Sequence, residues 1–253
     1  TWIPSKPCVM NDGARVLIVG AGGLGSPLAL SLAADPAIAT LTLIDADRVE
    51  LSNLHRQILL CAADVDRPKV ESAHASLRRR VARLQTSPIP LHIQPLALRF
   101  TPENSHALLA EHDLIIDGSD DLDTKFLVND SARAAGKPAL IGGIVRWNGQ
   151  IQTVWPESSN GACYRCLFES PPPAGTAISC QQAGVLGPAC GVVAGLMAAE
   201  ALRILRGRPR FADAVLTLDL LQWTQRRIPL SRRADCPACA HAPQKFDRSA
   251  VAS

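Results

Sequence analysis

The sequence has no surplus of charge of either sign, no apolar stretch of membrane-spanning length, no hydrophobic leader and no internal repeat. Its 26 basic and 23 acidic residues leave a formal net charge of +3 over 253 residues. Nothing in that balance calls for nucleic acid or an anionic membrane as partner. The run Arg78-Arg79-Arg80 is accordingly expected to be one solvated helix face. No stretch reaches the roughly 18–20 apolar residues that a bilayer requires, so no membrane association is expected. Pro4, Pro7, Asn11 and Asp12 break up the N-terminus, so no secretory signal is expected there. The eight cysteines also lack the pattern of a secreted disulfide scaffold. Four of them fall into two C-x-x-C pairs, which in a reducing compartment read as metal ligands. A cytoplasmic location is therefore expected.

What the chain does have is a hydrophobic fraction of 47% with 19% charged residues, ordinary for a globular protein. Its length fits one large α/β domain with a real core. Arg15-Val16-Leu17-Ile18-Val19 is a short β-branched run ending at a glycine, the mark of a buried parallel strand. Residues 41–44, 91–98, 114–116 and 139–141 read as four further strands. Helices are expected over residues 27–34, over 68–84 with Pro68 in the first turn, and over 188–205. Strands alternating with helices give right-handed crossovers and a parallel sheet covered on both faces. After Trp147 the pattern changes. Residues 150–154 and 215–220 alternate polar and apolar, which predicts antiparallel strands extending the sheet. The fold class expected is thus α/β: a Rossmann-like, mostly parallel sheet with an antiparallel extension. One domain should cover residues 14–240, between a short N-terminal segment (1–13) and a disordered tail (241–253). Residues 170–187, rich in Pro, Gly and Ser, form a long loop of the kind that is usually functional or mobile.

Gly20-Ala21-Gly22-Gly23-Leu24-Gly25 follows the first strand and opens a helix. In that setting backbone N–H groups and the helix dipole make an anion site, and glycines let phosphates approach the backbone. Asp45 ends the second strand about 20 residues beyond Gly25, where such folds place a carboxylate on a ribose hydroxyl. These features alone suggest a nicotinamide dinucleotide. The loop Leu51-Ser52-Asn53-Leu54-His55-Arg56-Gln57 and the helix start Arg67-Pro68-Lys69 point elsewhere, because two cations beside the cradle suit a triphosphate better. A lysine in a first turn also opposes the dipole unless an anion is near. The other reading of Arg56 and Lys69 is surface pairing with Asp64 and Asp66, and spacing does not separate the two.

Cys163-Tyr164-Arg165-Cys166 and Cys236-Pro237-Ala238-Cys239 can each present two thiolates to one ion, together closing a tetrahedral S₄ site. Such a site has no open position and is structural, and at about 10–16 kcal/mol of apparent binding energy a zinc ion would be a substantial clamp. A redox C-x-x-C is the competing reading. Cys190 falls in an apolar helix and is expected in the core; Cys8 and Cys61 carry no pattern.

The glycine loop, Asp45, the Leu51–Gln57 segment, Pro68 to Ser72 and Ser119-Asp120 together resemble the ThiF/MoeB/HesA family, the adenylyltransferases that activate ubiquitin-like sulfur carrier proteins. The resemblance runs from about Arg15 to Ala240. It implies that the C-terminal glycine of a carrier is adenylylated by ATP, releasing pyrophosphate, for sulfur transfer in thiamine or molybdenum cofactor synthesis. By that resemblance Gly20, Gly22, Gly23 and Gly25 cradle the nucleotide and Asp45 takes the ribose. Arg56 and Lys69 neutralise the phosphates, Asn53 helps hold them and Asp120 holds Mg²⁺. Asp47 either assists or is an ordinary loop carboxylate, and Gln57 either contacts the nucleotide or caps the loop. Cys180 stands where some members form a covalent sulfur link with the carrier; the alternative is an unreactive thiol. The family also implies a homodimer and a zinc ion on Cys163, Cys166, Cys236 and Cys239.

Three departures stand out. The family opens with a segment whose arginine reaches the partner subunit's site, whereas residues 1–13 hold only Lys6 as a basic residue, so the segment is expected to be shortened. Asp121 and Lys125 stand where asparagine and arginine are usual. No sulfur-transferring domain is expected after Ala240, which would leave that step to a separate sulfurtransferase. Two alternatives to the enzyme are a pseudo-activating subunit that binds carrier without turnover and a nicotinamide-dependent oxidoreductase. The second leaves the two cations and Asp120 without a role.

Overall fold

A computed structural model of the chain describes residues 13–82, 90–158, 160–173 and 184–240. Cys180 and the tail after Ala240 lie outside them. Among the described residues one eight-stranded sheet has the order β3-β2-β1-β4-β5-β6-β7-β8. β1 (Ala14–Val19), β2 (Ile38–Ile44), β3 (His92–Leu96), β4 (Leu114–Asp117) and β5 (Ala139–Val145) run parallel. β6 (Asn148–Val154), β7 (Ala214–Asp219) and β8 (Thr224–Pro229) continue antiparallel.

The strand pleat divides the apolar residues between two cores. Val16 and Ile18 of β1 pack with Leu28 and Leu32 of α1 (Gly25–Leu32), Val70 and Leu77 of α2 (Lys69–Val81), and Val193 and Met197 of a 19-residue helix, Gly187–Leu205. Leu17 and Val19 face the other way, onto Leu109 of α3 (Pro102–Ala110) and Phe126, Val128 and Ala132 of α4 (Leu122–Ala135). The cysteine cluster closes that second core, with Cys163 capping one helical turn, α5 (Tyr164–Leu167), and Cys239 in another, Pro237–Ala240. With the Gly187–Leu205 helix as α6 and the last turn as α7, helices cover both faces. Each fully buried leucine or isoleucine contributes roughly 1.5–3 kcal/mol relative to exposure.

The expected strands are all present; α3, α4, β8 and the single turns α5 and α7 were not foreseen. α3 begins at a Thr101–Asn104 capping box, and α4 is capped by the Asp121 carboxylate, which accepts from Thr124 N at 2.9 Å. β8 is an edge strand exposed along its whole length, so no alternation marks it. α1 begins at Gly25 rather than Pro27, drawing the last glycine of the loop into the helix. Contrary to the expectation of no spanning-length segment, α6 is long and apolar enough to cross a membrane by length and composition alone. Here it is a core helix. Nine of its residues are buried, and Glu200 accepts from Thr153 Oγ1 at 2.9 Å and from Arg210 N and Phe211 N at 2.7 and 2.8 Å. Arg78, Arg79 and Arg80 are exposed, as expected.

The order of the parallel strands reverses at β1, between β2 and β4. In open α/β sheets a crevice forms at such a switch, outside the carboxyl ends of the strands. The loops after β1 and β4 meet there through backbone. A Cβ on Gly20 (φ +91°) would lie 3.0 Å from Ser119 Cα, and one on Gly25 would lie 1.8 Å from the Gly20 carbonyl oxygen. Gly25→Ala is therefore expected to lower unfolding stability in urea by about 2 kcal/mol or more, since neither backbone can move away.

Candidate functional site

A cleft of about 1600 Å³ opens at this switch point and runs along the sheet to the hairpin end of β5, β6 and β7. Its floor at the switch is the loop holding Gly20, Gly22 and Gly23, faced by Gly118 to Asp121. Its other walls bring in Asp45, Asp47, Asn53, Arg56, Gln57 and Lys69, and farther along Lys125, Tyr164, Gln150 and Thr217. Every sequence-derived nucleotide residue among those described lines this cleft except Gly25, whose place is taken by packing against Gly20.

The glycines differ in what requires them. Gly20 and Gly25 are set by backbone contact, and a Cβ on Gly23 would lie 3.0 Å from Cys190 Sγ and 3.1 Å from Arg56 Cδ. At Gly22 nothing but Gln57 Nε2, at 3.9 Å, comes within van der Waals range. The protein's own packing does not need a glycine there; open space in the cleft does.

Arg56 is held rather than neutralised. Its Nη2 donates to Asn53 Oδ1 at 2.7 Å, and Asn53 Nδ2 donates in turn to Glu50 at 3.2 Å. Arg56 makes no ion pair among the described residues; Asp64 instead pairs with Arg67 at 3.6 Å. Surface pairing of Arg56 with Asp64 or Asp66 is thereby excluded. Lys69 is the first residue of α2 and is 6% exposed. Its Nζ donates to Asp47 Oδ2 at 2.8 Å, and its backbone N–H to Asp47 O at 2.9 Å. Asp47 is therefore the anion that offsets a cation set against the helix dipole, and it is part of the site rather than a bystander in its loop.

Asp45 Oδ2 accepts from Ala21 N and Oδ1 from Asp47 N, both at 2.8 Å, so it also holds the loop's shape. Burial pushes its carboxyl above the usual range, opposed by Lys69 and these two N–H donors. Gln57 is 2% exposed and its Oε1 has no hydrogen-bond partner among the described residues. A buried amide oxygen without a partner is unusual, and Gln57 also lines the cleft. Asp120 is exposed and makes no hydrogen bond or ion pair among the described residues. A free carboxylate opposite Arg56 and Lys69 suits a hard cation with oxygen ligands, so the donor set fits a magnesium–triphosphate.

Three residues in or directly behind this wall escaped the sequence reading. Asp117 is fully buried and pairs with Lys125 at 2.6 Å. Burial pushes its carboxyl up, opposed by Lys125 and the Ser119 donors. The signal available was a lone carboxylate closing the apolar run Leu114-Ile115-Ile116. Tyr164 packs against Phe126 and Phe168 with ring centroids 5.1 and 5.0 Å apart, and burial raises its hydroxyl to about 12. Gln150 lines the same cleft, on the expected strand β6.

The four cysteines of the C-x-x-C pairs come together from two separate helical turns, 164–167 and 237–240. Their sulfurs lie within 4.8 Å of one another, with separations of 3.9 Å (163–166), 3.6 Å (163–236 and 166–239) and 3.4 Å (163–239). Sulfurs placed about 2.3 Å from one tetrahedral zinc stand roughly 3.8 Å apart, so the cage has metal-site dimensions. Contact with Cys239 and burial push the Cys163 thiol up; a divalent cation would reverse that by ionising the ligands. Cys190 is 1% exposed, as expected of a core residue.

Comparison with known proteins agrees with this geometry. The ThiF family model matches residues 12–238. The chain is 39% identical over 234 residues to the sulfur carrier protein adenylyltransferase of Thermus thermophilus, covering 91% of this chain and 83% of that one. It is 43% identical to the adenylyltransferase and sulfurtransferase MOCS3 of Sus scrofa, but spans only 49% of it. It is 40% identical to the probable adenylyltransferase/sulfurtransferase MoeZ of Mycobacterium tuberculosis, spanning 56%. Among solved structures it resembles E. coli MccB with ATP at a TM-score of 0.75 and 22% identity, over 90% of this chain and 68% of that one. That likeness establishes the fold.

Two substitutions separate cradle from scaffold. Gly22→Ala should leave the urea midpoint within about 0.5 kcal/mol of the parent yet weaken inorganic tripolyphosphate binding. Arg56→Ala should weaken the same binding about 10- to 100-fold, the worth of a charged hydrogen bond; calorimetry reads both. With switch-point cleft, glycine loop, cation pair and cysteine cage all in place, this chain belongs to the ThiF family.

Proposed function

We propose that this chain adenylylates the C-terminal glycine of a ubiquitin-like sulfur carrier protein with ATP. The observation that carries this reading is Arg56, held by Asn53 with no ion pair among the described residues, across the cleft from a free Asp120. The relatives named for this activity match along most of the chain. In the reaction the carrier carboxylate attacks the α-phosphorus, the bond to the bridging oxygen breaks, and pyrophosphate leaves with its electron pair. The nucleophile is already ionised near neutral pH, so no general base is needed. The barrier is an anion meeting a polyanion, which fixed positive charge lowers.

In this reading Gly20, Gly22 and Gly23 receive the phosphates, Asp45 the ribose, and Arg56, Lys69 and Asn53 the triphosphate charge. Lys69 would exchange Asp47 for phosphate oxygen. Asp120 would hold Mg²⁺, which supplies charge neutralisation at the phosphates. The far arm of the cleft, lined by Val145, Asn148, Gln150 and Thr217, has the extended form that a carrier's C-terminal tail requires. It ends beside two hairpin tips joined by a Leu220 N–H to Trp147 carbonyl bond of 3.0 Å, where Trp223 is 85% and Leu221 59% exposed. That exposed apolar surface supports protein docking. Cys180 is proposed as the thiol that takes up the activated carrier. The segment bearing it leaves at Pro173 and returns by Val185, both lining the cleft. A second copy of the chain is proposed on the face of α6 where Gly191, Val192 and Gly195 are exposed, and sulfur is proposed to come from a separate sulfurtransferase. Whether thiamine or molybdenum cofactor synthesis receives it depends on the carrier.

ATP–pyrophosphate exchange is expected only when a Gly-Gly-ended carrier is supplied. Asp120→Asn, at an exposed carboxylate, should reduce it at least tenfold without changing the urea midpoint, and Lys69→Ala should reduce it at least tenfold in protein that remains folded. Exchange that ignores the carrier, or is untouched by both substitutions, would contradict the proposal. Zinc is proposed for the cysteine cage. Elemental analysis should find close to one zinc per chain, and Cys163→Ser/Cys239→Ser should lose it together with several kcal/mol of stability.

A further inference from the structure

A buried ion pair is poor stabilisation. Desolvating both charges roughly cancels their attraction, and an apolar pair of the same volume often does as well or better. Lys125, in the wall of the cleft and 4% exposed, is nonetheless paired at 2.6 Å with Asp117, which is fully buried behind that wall. The other bonds they make indicate a reason.

Lys125 Nζ spends all three of its donors: on Asp117 Oδ2 at 2.6 Å, on the Ser119 carbonyl at 2.7 Å and on the Gly142 carbonyl of β5 at 2.6 Å. Asp117 Oδ1 accepts from Ser119 Oγ at 2.6 Å and from Ser119 N at 3.2 Å. Ser119 is therefore held at its N–H, hydroxyl and carbonyl. On the other side, Asp121 is fixed as the cap of α4 by Thr124 N at 2.9 Å and Thr124 Oγ1 at 2.5 Å. Asp120 sits between two immobilised neighbours, with its own carboxylate unbonded among the described residues. The same ammonium ties this turn to β5, whose Gly143 and Val145 form the far arm of the cleft.

We infer that Lys125, with Asp117, is a positioning residue: it sets the Asp120 carboxylate against the metal–triphosphate and fixes its distance from the β5 wall. The inference rests on the proposed role of Asp120. Lys125 does not touch substrate; it acts through the Ser119 carbonyl.

The test uses Mn²⁺ in place of Mg²⁺, titrated by electron paramagnetic resonance into the full chain with a non-hydrolysable ATP analogue, alongside exchange kinetics. Lys125→Met alone leaves a buried unpaired carboxylate and can fail to fold, so the decisive variant is Asp117→Asn/Lys125→Met. With its urea midpoint and zinc content kept, this variant should raise the Mn²⁺ half-saturation at least tenfold. It should lower kcat at least tenfold, with KM for the carrier within about threefold of the parent. Lys125→Arg, which keeps charge and multiple donors, should recover most of both. A folded double variant with unchanged Mn²⁺ half-saturation and kcat overturns the inference. If Asp120→Asn also binds Mn²⁺ like the parent, the metal role of Asp120 falls and the inference with it. If Asp120→Asn is impaired and the double variant is not, the inference alone falls.

Discussion

The site depends on one constraint: the loop after β1 and the loop after β4 touch through their backbones. Gly25 lies against the Gly20 carbonyl, and Gly20 against Ser119. No side chain fits between them. This contact fixes the start of α1, and with it the loop's N–H groups, relative to the turn that carries Asp120. It also explains why the loop is tightly specified at Gly20 and Gly25, which serve the scaffold, and open at Gly22, which serves the cavity.

Around that frame the charges are arranged for something the protein does not itself provide. Arg56 is oriented by Asn53, Lys69 is held by Asp47, and Asp120 is left free among the described residues. Positive groups on one wall and a carboxylate on the other would be poor structural design if they were meant to meet each other. They suit a polyanion with a divalent cation between them. On the far face of the sheet the cysteine cage joins the 163–166 turn to the 236–239 turn. Tyr164, between two of the cysteines in sequence, also lines the cleft. The cage thus braces one wall of the site while standing apart from the chemistry.

Much of this was legible in the sequence because periodicity and local motifs are local signals. The parallel strands are continuous apolar runs, the glycine loop sits between strand and helix, and C-x-x-C pairs announce themselves by spacing. What stayed hidden was set by tertiary contact. β8 is exposed throughout, so pairing with β7 makes it a strand and no pattern does. α4 mixes polar and apolar residues, and its cap is Asp121, which the sequence offered only as a departure from asparagine. Lys125 drew notice only as a replacement for arginine; its partners, Asp117 and Gly142, come from separate strands. Spacing left Arg56 and Lys69 undecided between phosphate and surface pairing, since it cannot say which carboxylate lies within reach. The fold brought Asp47 to Lys69 and, among the described residues, none to Arg56.

The most direct measurement is intact-protein and fragment mass spectrometry of a Gly-Gly-ended carrier after incubation with the chain, ATP and Mg²⁺. The account predicts an added adenylyl group located on the carrier's C-terminal glycine, formed by the parent chain and lost with Arg56→Ala. An unmodified carrier after incubation with the zinc-loaded chain, or an adenylyl group placed elsewhere on the carrier, would contradict it.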